Sequence, residues 1–335
     1  MQVNFWTKLK KPILTLAPMA DVTDCVFRQI INKYGKPDVF FTEFVSADGL
    51  AHPVARKKLL IDLKYSKNEH PIVAQLFGGK PENIKIASAL CKELGFDGVD
   101  INMGCPDRSV EKQCAGAATM KDLKLAKEII RAAKEGAGGL PISVKTRIGY
   151  NRNEIETLVP AILEEGVAAL TVHLRTRKEM SDVPAHWEVM PKILEIRDRV
   201  GKSTLILGNG DALDIADARS KCKEYGCDGV MLGRAIFGNP WLFSTSPKYF
   251  SGLLQPTAGT FPVQNISERL QVMVEHTKLF EKLLCKQKNF AIMKKHYKAY
   301  VNGFEGAKEL RMKLMEANNA KEIEKIVNDF LAKVW

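Results

Sequence analysis

Over the first 235 residues, short apolar runs alternate with longer segments of helical period. The runs fall at 13–19, 39–43, 71–77, 98–104, 142–147, 169–174, 205–210 and 229–234. Most are continuously apolar rather than alternating, which is how strands covered on both faces read. Between them, 80–94, 121–135, 153–165 and 211–225 carry apolar residues at amphipathic helical spacing. Strands alternating with helices predict right-handed βαβ units and a parallel sheet. Eight such units in this length match a closed (β/α)8 TIM barrel. An open doubly wound sheet is the alternative, weakened because no GxGxxG follows the first run. From 243 to 260 the chain turns rich in Ser, Thr, Gly and Pro. Beyond it, 267–286, 289–301, 307–317 and 320–333 are all helical in pattern. The predicted organisation is a barrel over 1–245 and a C-terminal all-helical bundle over 246–335.

Composition adds little to the fold but changes the choice of partners. The 45% hydrophobic and 27% charged residues are ordinary for a globular chain, and no uninterrupted apolar stretch is long enough for a membrane helix. The first twelve residues lack the apolar core and small-residue cleavage site of a secretory leader. A soluble cytoplasmic protein is expected, with a monomer as the default and no obligate protein partner. The formal net charge of +11 favours polyanions such as nucleic acid, although a basic surface alone does not require them. Residues 248–335 hold 15 Lys and Arg against 9 Asp and Glu, so the excess is densest in the tail. Seven cysteines form no CxxC pair, and the histidines form no ligand spacing, so no metal site is expected. Cys222 and Cys227 read as packing residues, and so does Cys114.

In a barrel of this kind chemistry belongs to the C-terminal strand ends. Those ends deliver Pro18, Met19 and Ala20; Glu43; Gln75; Asn102 and Cys105; Lys145 and Arg147; His173 and Arg175; Asn209, Gly210 and Asp211; Gly233 and Arg234. A polar group at nearly every end is not a packing accident, since each unsatisfied buried polar group costs about 1–3 kcal/mol. Gly210 and Gly233 with Arg234 occupy the usual barrel position for a phosphate. Gln75 and Asn102 offer amides that both donate and accept, as a heterocycle with mixed edges requires. A mononucleotide-like cofactor fits both ends, with flavin mononucleotide (FMN) the natural candidate. Cys105, flanked by Gly104 and Pro106 beside Asn102, is placed to act as nucleophile or proton donor.

The stretch Ile101-Asn102-Met103-Gly104-Cys105-Pro106, with Val110 and Gly116-Ala117 after it, resembles the signature of the tRNA-dihydrouridine synthases. Ala17 to Asp24, Val73 to Gly78, Val144 to Gly149, Thr171 to Thr176, Gly208 to Asp211, and Gly233-Arg234 with Gly238 to Trp241 resemble the same family. Met293 to Tyr297, Gly306-Ala307 and Arg311 match its helical domain more loosely, and Thr119 and Met120 depart from its leucines. The resemblance implies that FMN is held by Pro18, Met19, Ala20, Gln75, Lys145, His173, Asn209, Gly210, Asp211, Gly233 and Arg234. It also implies that NADPH, or NADH, reduces the flavin, that hydride passes to C6 of a uridine in tRNA, and that Cys105 protonates C5 as the general acid.

Asn102, Lys145, His173 and Arg175 are the donors available to the developing enolate. For substrate, the candidates are Asn102, Arg147 and Arg175 at the barrel mouth, with Lys294, Lys295 and Arg311 among the tail cations. Tyr297 and Tyr300 are candidates for stacking, and the polar loop 175–187 for closing over the base. A dihydroorotate dehydrogenase-like barrel acting on a free pyrimidine shares most of these features but has no need of a basic tail. A pure RNA-binding role is a second alternative.

Overall fold

Eight strands form where the apolar runs predict them: β1 (Ile13–Leu16), β2 (Phe40–Ser46), β3 (Ile72–Phe77), β4 (Gly98–Met103), β5 (Ile142–Arg147), β6 (Ala169–His173), β7 (Leu205–Asn209) and β8 (Gly229–Leu232). The computed structural model describes residues 4–246 and 266–334. Every neighbouring pair is parallel, in the order β1-β8-β7-β6-β5-β4-β3-β2. The two ends of that order meet through a parallel bridge between Thr15 and Val39, which closes the sheet into the predicted barrel.

Three seams are fastened alike at the strand starts. The Asp38 carboxylate accepts from Leu14 N at 2.7 Å, that of Asp97 from Ile72 N at 2.7 Å, and that of Asp228 from Ile206 N at 2.8 Å. In each case an aspartate just before one strand satisfies an amide at the start of its neighbour, where the ladder has no carbonyl to offer.

The helices are α1 (Cys25–Tyr34), α2 (Ala47–Ala51), α3 (Pro53–Leu59), α4 (Pro81–Glu93), α5 (Arg108–Glu111), α6 (Leu123–Ala137), α7 (Ile155–Leu163), α8 (Met190–Val200), α9 (Ile215–Tyr225), α10 (Ile266–Leu284), α11 (Met293–Tyr300), α12 (Ala307–Glu316) and α13 (Ala320–Val334). Side-chain caps set several starts: Asp24, Asp122 and Asp214 each accept from amides two or three residues on. The segment predicted as helix from 211 begins only at Ile215. Asp211 has a left-handed backbone, and Asp214 supplies the cap.

Inside the barrel the strand-start end is apolar. Ile13, Val39, Phe41, Val73, Ala169, Leu207 and Met231 pack together, and Trp6 from the short N-terminal turn Phe5–Lys8 closes the cluster. Towards the strand ends the interior becomes polar.

The chain divides into two compact units, but not at 245/246. One comprises Met1–Ala20 and Pro37–Gly233 and contains all eight strands; the other comprises Asp21–Lys36 and Arg234–Trp335. Helix α1 therefore groups with α10–α13, although it follows the first strand in sequence. The reason is its side chains: Phe27 stacks on His276 with ring centres 4.9 Å apart, and Tyr34 Oη donates to Glu275 at 2.7 Å. Tyr297 and Tyr300 are fully buried inside this second unit. They are core residues and present no face for stacking, which corrects the expectation above. The turn-rich stretch 247–260 lies outside the described residues.

Trp6→Ala should lower the unfolding free energy by about 3–5 kcal/mol, because it empties the plug of the barrel floor. Urea titration followed by circular dichroism measures this. A loss below about 1 kcal/mol would mean that the floor is closed by other residues.

Candidate active site

Alternation along β3 to β7 turns Gln75, Asp100, Asn102, Ser143, Lys145, His173 and Asn209 to one side of the sheet, and the register aligns them. Asn102 lies opposite Lys145, and His173 lies opposite both Arg147 and Asn209. The Asp100 carboxylate accepts from Ser143 Oγ at 2.6 Å and from Gln75 Nε2 at 2.7 Å. Gln75 Oε1 accepts from Asn102 Nδ2 at 2.9 Å. Asn102 Oδ1 then accepts from Gly104 N at 3.1 Å and Cys105 N at 2.9 Å. Nearby, Lys145 Nζ donates to Asn209 Oδ1 at 3.1 Å, and Asn209 Nδ2 donates to Met231 O at 2.8 Å.

Burial dominates the electrostatics. It pushes Asp100 up to about 6 against the pull of its hydrogen bonds and of Lys145. It pushes Lys145 down to about 8, helped by Arg147 and opposed by Asp100. Burial works against both charges, and each charge favours the ionised form of the other. Cys105 is half-buried, and burial raises its thiol above the ordinary thiol value, while Lys145 and Arg147 pull the other way. The thiol therefore carries its proton at neutral pH. Its turn is pinned on three atoms: Cys105 N by Asn102, Cys105 O by Ala117 N at 2.8 Å, and Gly104 O by Arg147 Nε at 2.9 Å.

Several predicted residues have a different local task. Arg147 Nη1 donates to Thr176 O and to Met180 O, both at 3.0 Å, so its guanidinium ties the Cys105 turn to the loop after β6. Arg175, only 2% exposed, pairs with Asp211 and donates to Val183 O at 2.5 Å. By these bonds both guanidiniums, expected from the sequence to meet a substrate, are also tied into the protein. Asp211 also accepts from Ala185 N at 2.8 Å, so its carboxylate anchors a loop.

The same bonds answer the expectation of a closing loop. His186 bridges Glu179 and Glu188, both at 3.0 Å, and Arg177 makes a two-pronged contact with Glu111 at 2.9 and 2.5 Å. Loop 175–187 is tied down at both ends and in its middle.

Gly208 accommodates it, because a Cβ there would meet the Trp187 ring at 2.4 Å. Gly233 differs: a Cβ there would meet only Ala17 Cβ at an ordinary 3.6 Å, so the protein's own packing does not require a glycine. Pro18 is buried, Met19 half-buried and Ala20 exposed in the turn after β1. Cys114, expected to be structural, is exposed.

In the second unit Lys295 pairs with Asp21 at 3.2 Å, Arg311 Nη1 donates to Val301 O at 2.6 Å, and Lys294 is half-buried. Arg234 is exposed at the start of a short turn. Asp100 and Ser143 were missed by the sequence reading. A signal for Asp100 existed: a carboxylate two residues before Asn102, on the same face of an otherwise apolar run. Among the described residues no group of three or more His, Cys, Asp or Glu side chains is arranged to hold a metal. Nor is any described helix long and apolar enough to cross a membrane.

A family model described as "Dihydrouridine synthase" matches residues 15–334. A "Probable tRNA-dihydrouridine synthase 2" from Bacillus subtilis (strain 168) is 40% identical over 335 residues, covering 99% of this chain and 98% of its own. A "Probable tRNA-dihydrouridine synthase" from Staphylococcus aureus (strain N315) is 39% identical over 336 residues, covering 100% and 98%. Among solved structures, the old yellow enzyme homologue from Zymomonas mobilis aligns with a TM-score of 0.47 at 13% identity, over 68% of this chain and 85% of its own. That last likeness is too distant to bear on function.

Asp211→Ala should remove about 1.5–3 kcal/mol of stability, the range for a hydrogen bond to a charged group. It should also speed proteolytic cleavage within 176–186. Limited proteolysis with mass mapping checks this, and an unchanged cleavage rate there would mean that the loop is held without Asp211.

Proposed function

The chain belongs to the dihydrouridine synthase family, and we propose that it reduces uridine in tRNA to 5,6-dihydrouridine at the strand ends of its barrel. The observation that carries this reading is the Cys105 thiol, raised by burial and carried on a turn that three hydrogen bonds to its main chain hold beside the half-buried Lys145. Saturating C5=C6 takes one hydride and one proton. FMN, recharged by NADPH or NADH, supplies the hydride for C6 when bound. The chain supplies the proton: Cys105 Sγ–H gives it to C5, and the thiolate left behind is stabilised by the charges of Lys145 and Arg147. Those charges also favour electron density on the uracil carbonyls as C6 accepts hydride.

The donor set suits a flavin phosphate and ring. Lys145 brings a half-buried ammonium, Gln75, His173 and Asn209 bring polar atoms from β3, β6 and β7, and Gly233 leaves space that no described protein atom claims. Pro18, Met19, Ala20, Gly210, Asp211 and Arg234 complete the proposed set, with Asn102 towards the uracil. The net positive charge of 248–335 suits the tRNA backbone, for which Lys294, Lys295 and Arg311 remain the proposed contacts. A base within folded RNA must leave its stack to reach the strand ends.

The decisive test is the two half-reactions. The purified protein should carry a flavin absorbance that NADPH bleaches and unmodified tRNA restores under anaerobic conditions, leaving dihydrouridine. Cys105→Ala should keep the flavin and its bleaching but lose about 10²–10⁴-fold in the tRNA-dependent step. Restoration by a free pyrimidine and not by tRNA would overturn the assignment. Because a general acid works protonated and this thiol is raised, the tRNA step should stay level through neutral pH. It should fall as the pH rises past about 8, where Lys145 gives up its charge, and further above the ordinary thiol range, as a stopped-flow pH profile would show. Gly233→Ala should leave the melting temperature within about a degree and weaken flavin binding about tenfold or more, measured by fluorescence titration; equal weakening of both would assign Gly233 to the fold.

A further inference from the structure

We propose that Asp100 is a positioning residue for the proton-donating step: it fixes the polarity of a hydrogen-bond relay that ends on the main chain of Cys105. This inference rests on the function proposed above.

The relay has two ends that each allow one polarity. At one end the Asp100 carboxylate only accepts, so the Gln75 side chain must turn its NH2 towards it, at 2.7 Å. Gln75 Oε1 is then forced towards Asn102 Nδ2, at 2.9 Å. Asn102 Oδ1 is left to face Gly104 N and Cys105 N, which only donate, at 3.1 and 2.9 Å. Two amides that could each flip are thereby set between the carboxylate and the Cys105 turn, Gln75 one hydrogen bond and Asn102 two from Asp100. Gln75 is 0% exposed, Asp100 1% and Asn102 7%, so water cannot repair a reversed link. Ser143 Oγ occupies the other carboxylate oxygen at 2.6 Å, which leaves Oδ2 for the relay. The carboxylate is raised to about 6 by burial, and the donors Ser143 and Gln75 on its two oxygens, with Lys145 nearby, favour its ionised, accepting form. It touches neither the thiol nor the reacting carbons and acts only through Gln75 and Asn102.

The test uses a pair of variants that differ at position 100 alone. Gln75→Glu should set two carboxylates face to face and break the relay. Adding Asp100→Asn exchanges donor and acceptor across that contact, conserving volume and total charge. It restores every link: the amide introduced at position 100 donates to the carboxylate introduced at position 75, which accepts from Asn102. Two readouts are taken on the full chain, the rate of tRNA-dependent flavin reoxidation and the rate of Cys105 alkylation by iodoacetamide, mapped by mass spectrometry. The single variant should lose between about ten- and a hundredfold in reoxidation, the scale of a catalytic group displaced by about an ångström. Its Cys105 should alkylate several-fold faster as the turn loosens. The double variant should recover at least tenfold in reoxidation and return alkylation to near the native rate. A double variant as slow and as reactive as the single overturns the proposal. So does Asp100→Leu with native values of both rates; should that variant not fold, the charge-conserving pair still decides. If tRNA fails to reoxidise even the native flavin, the functional reading fails while the alkylation series still reports on the relay.

Discussion

A carboxylate inside a barrel is an expensive group to bury, and the order of the strand ends follows from how Asp100 is satisfied. Isolated ions do not persist in such a setting; they are neutralised or surrounded by donors. Asp100 has a hydroxyl from β5 and an amide from β3 on its oxygens and the Lys145 ammonium nearby. Each partner lies on a neighbouring strand, so satisfying one group fixes the relative register of three. The amides above it then have one choice each, and the turn carrying Cys105 inherits the result. An apolar residue at this position would leave Gln75 Nε2 without the acceptor that holds it.

This arrangement depends on a division of the barrel interior into two layers. Trp6 and the apolar layer around it close the strand-start end and keep water from the polar layer above. In that drier environment an ammonium and a carboxylate interact more strongly than they would at a surface, while each is harder to ionise alone. The directions of the shifts at Asp100 and Lys145 are the expected signs of that compromise. The raised thiol of Cys105 belongs to the same environment and suits the proton-donating role proposed for it.

The loop after β6 shows how far polar composition can mislead. A long polar loop at a barrel mouth suggests a moving lid, yet here its charges bind one another. Arg175 pairs with Asp211, Arg177 with Glu111 and Glu179 with His186 and Thr176, while Arg147 holds the carbonyls of Gly104, Thr176 and Met180. Such contacts favour preorganisation, since breaking the Arg175–Asp211 pair would strand a guanidinium that is only 2% exposed.

The sequence by itself determined the barrel, the places of its strands, the helical tail and the position of Cys105 at the end of β4. These are read from local signals: apolar runs, helical period, a Gly and a Pro around one cysteine. Tertiary structure alone decided what the polar side chains do. Asp100 meets Gln75 across 25 positions of chain, Arg175 meets Asp211 across 36, and Tyr34 meets Glu275 across 241. It also decided that α1 joins the tail helices and that Tyr297 and Tyr300 lie in their core. The physical reason is one of range. Backbone preference and hydrophobic period are properties of a few adjacent residues, while hydrogen-bond partnership depends on strand register and helix packing, which exist only once distant segments have met.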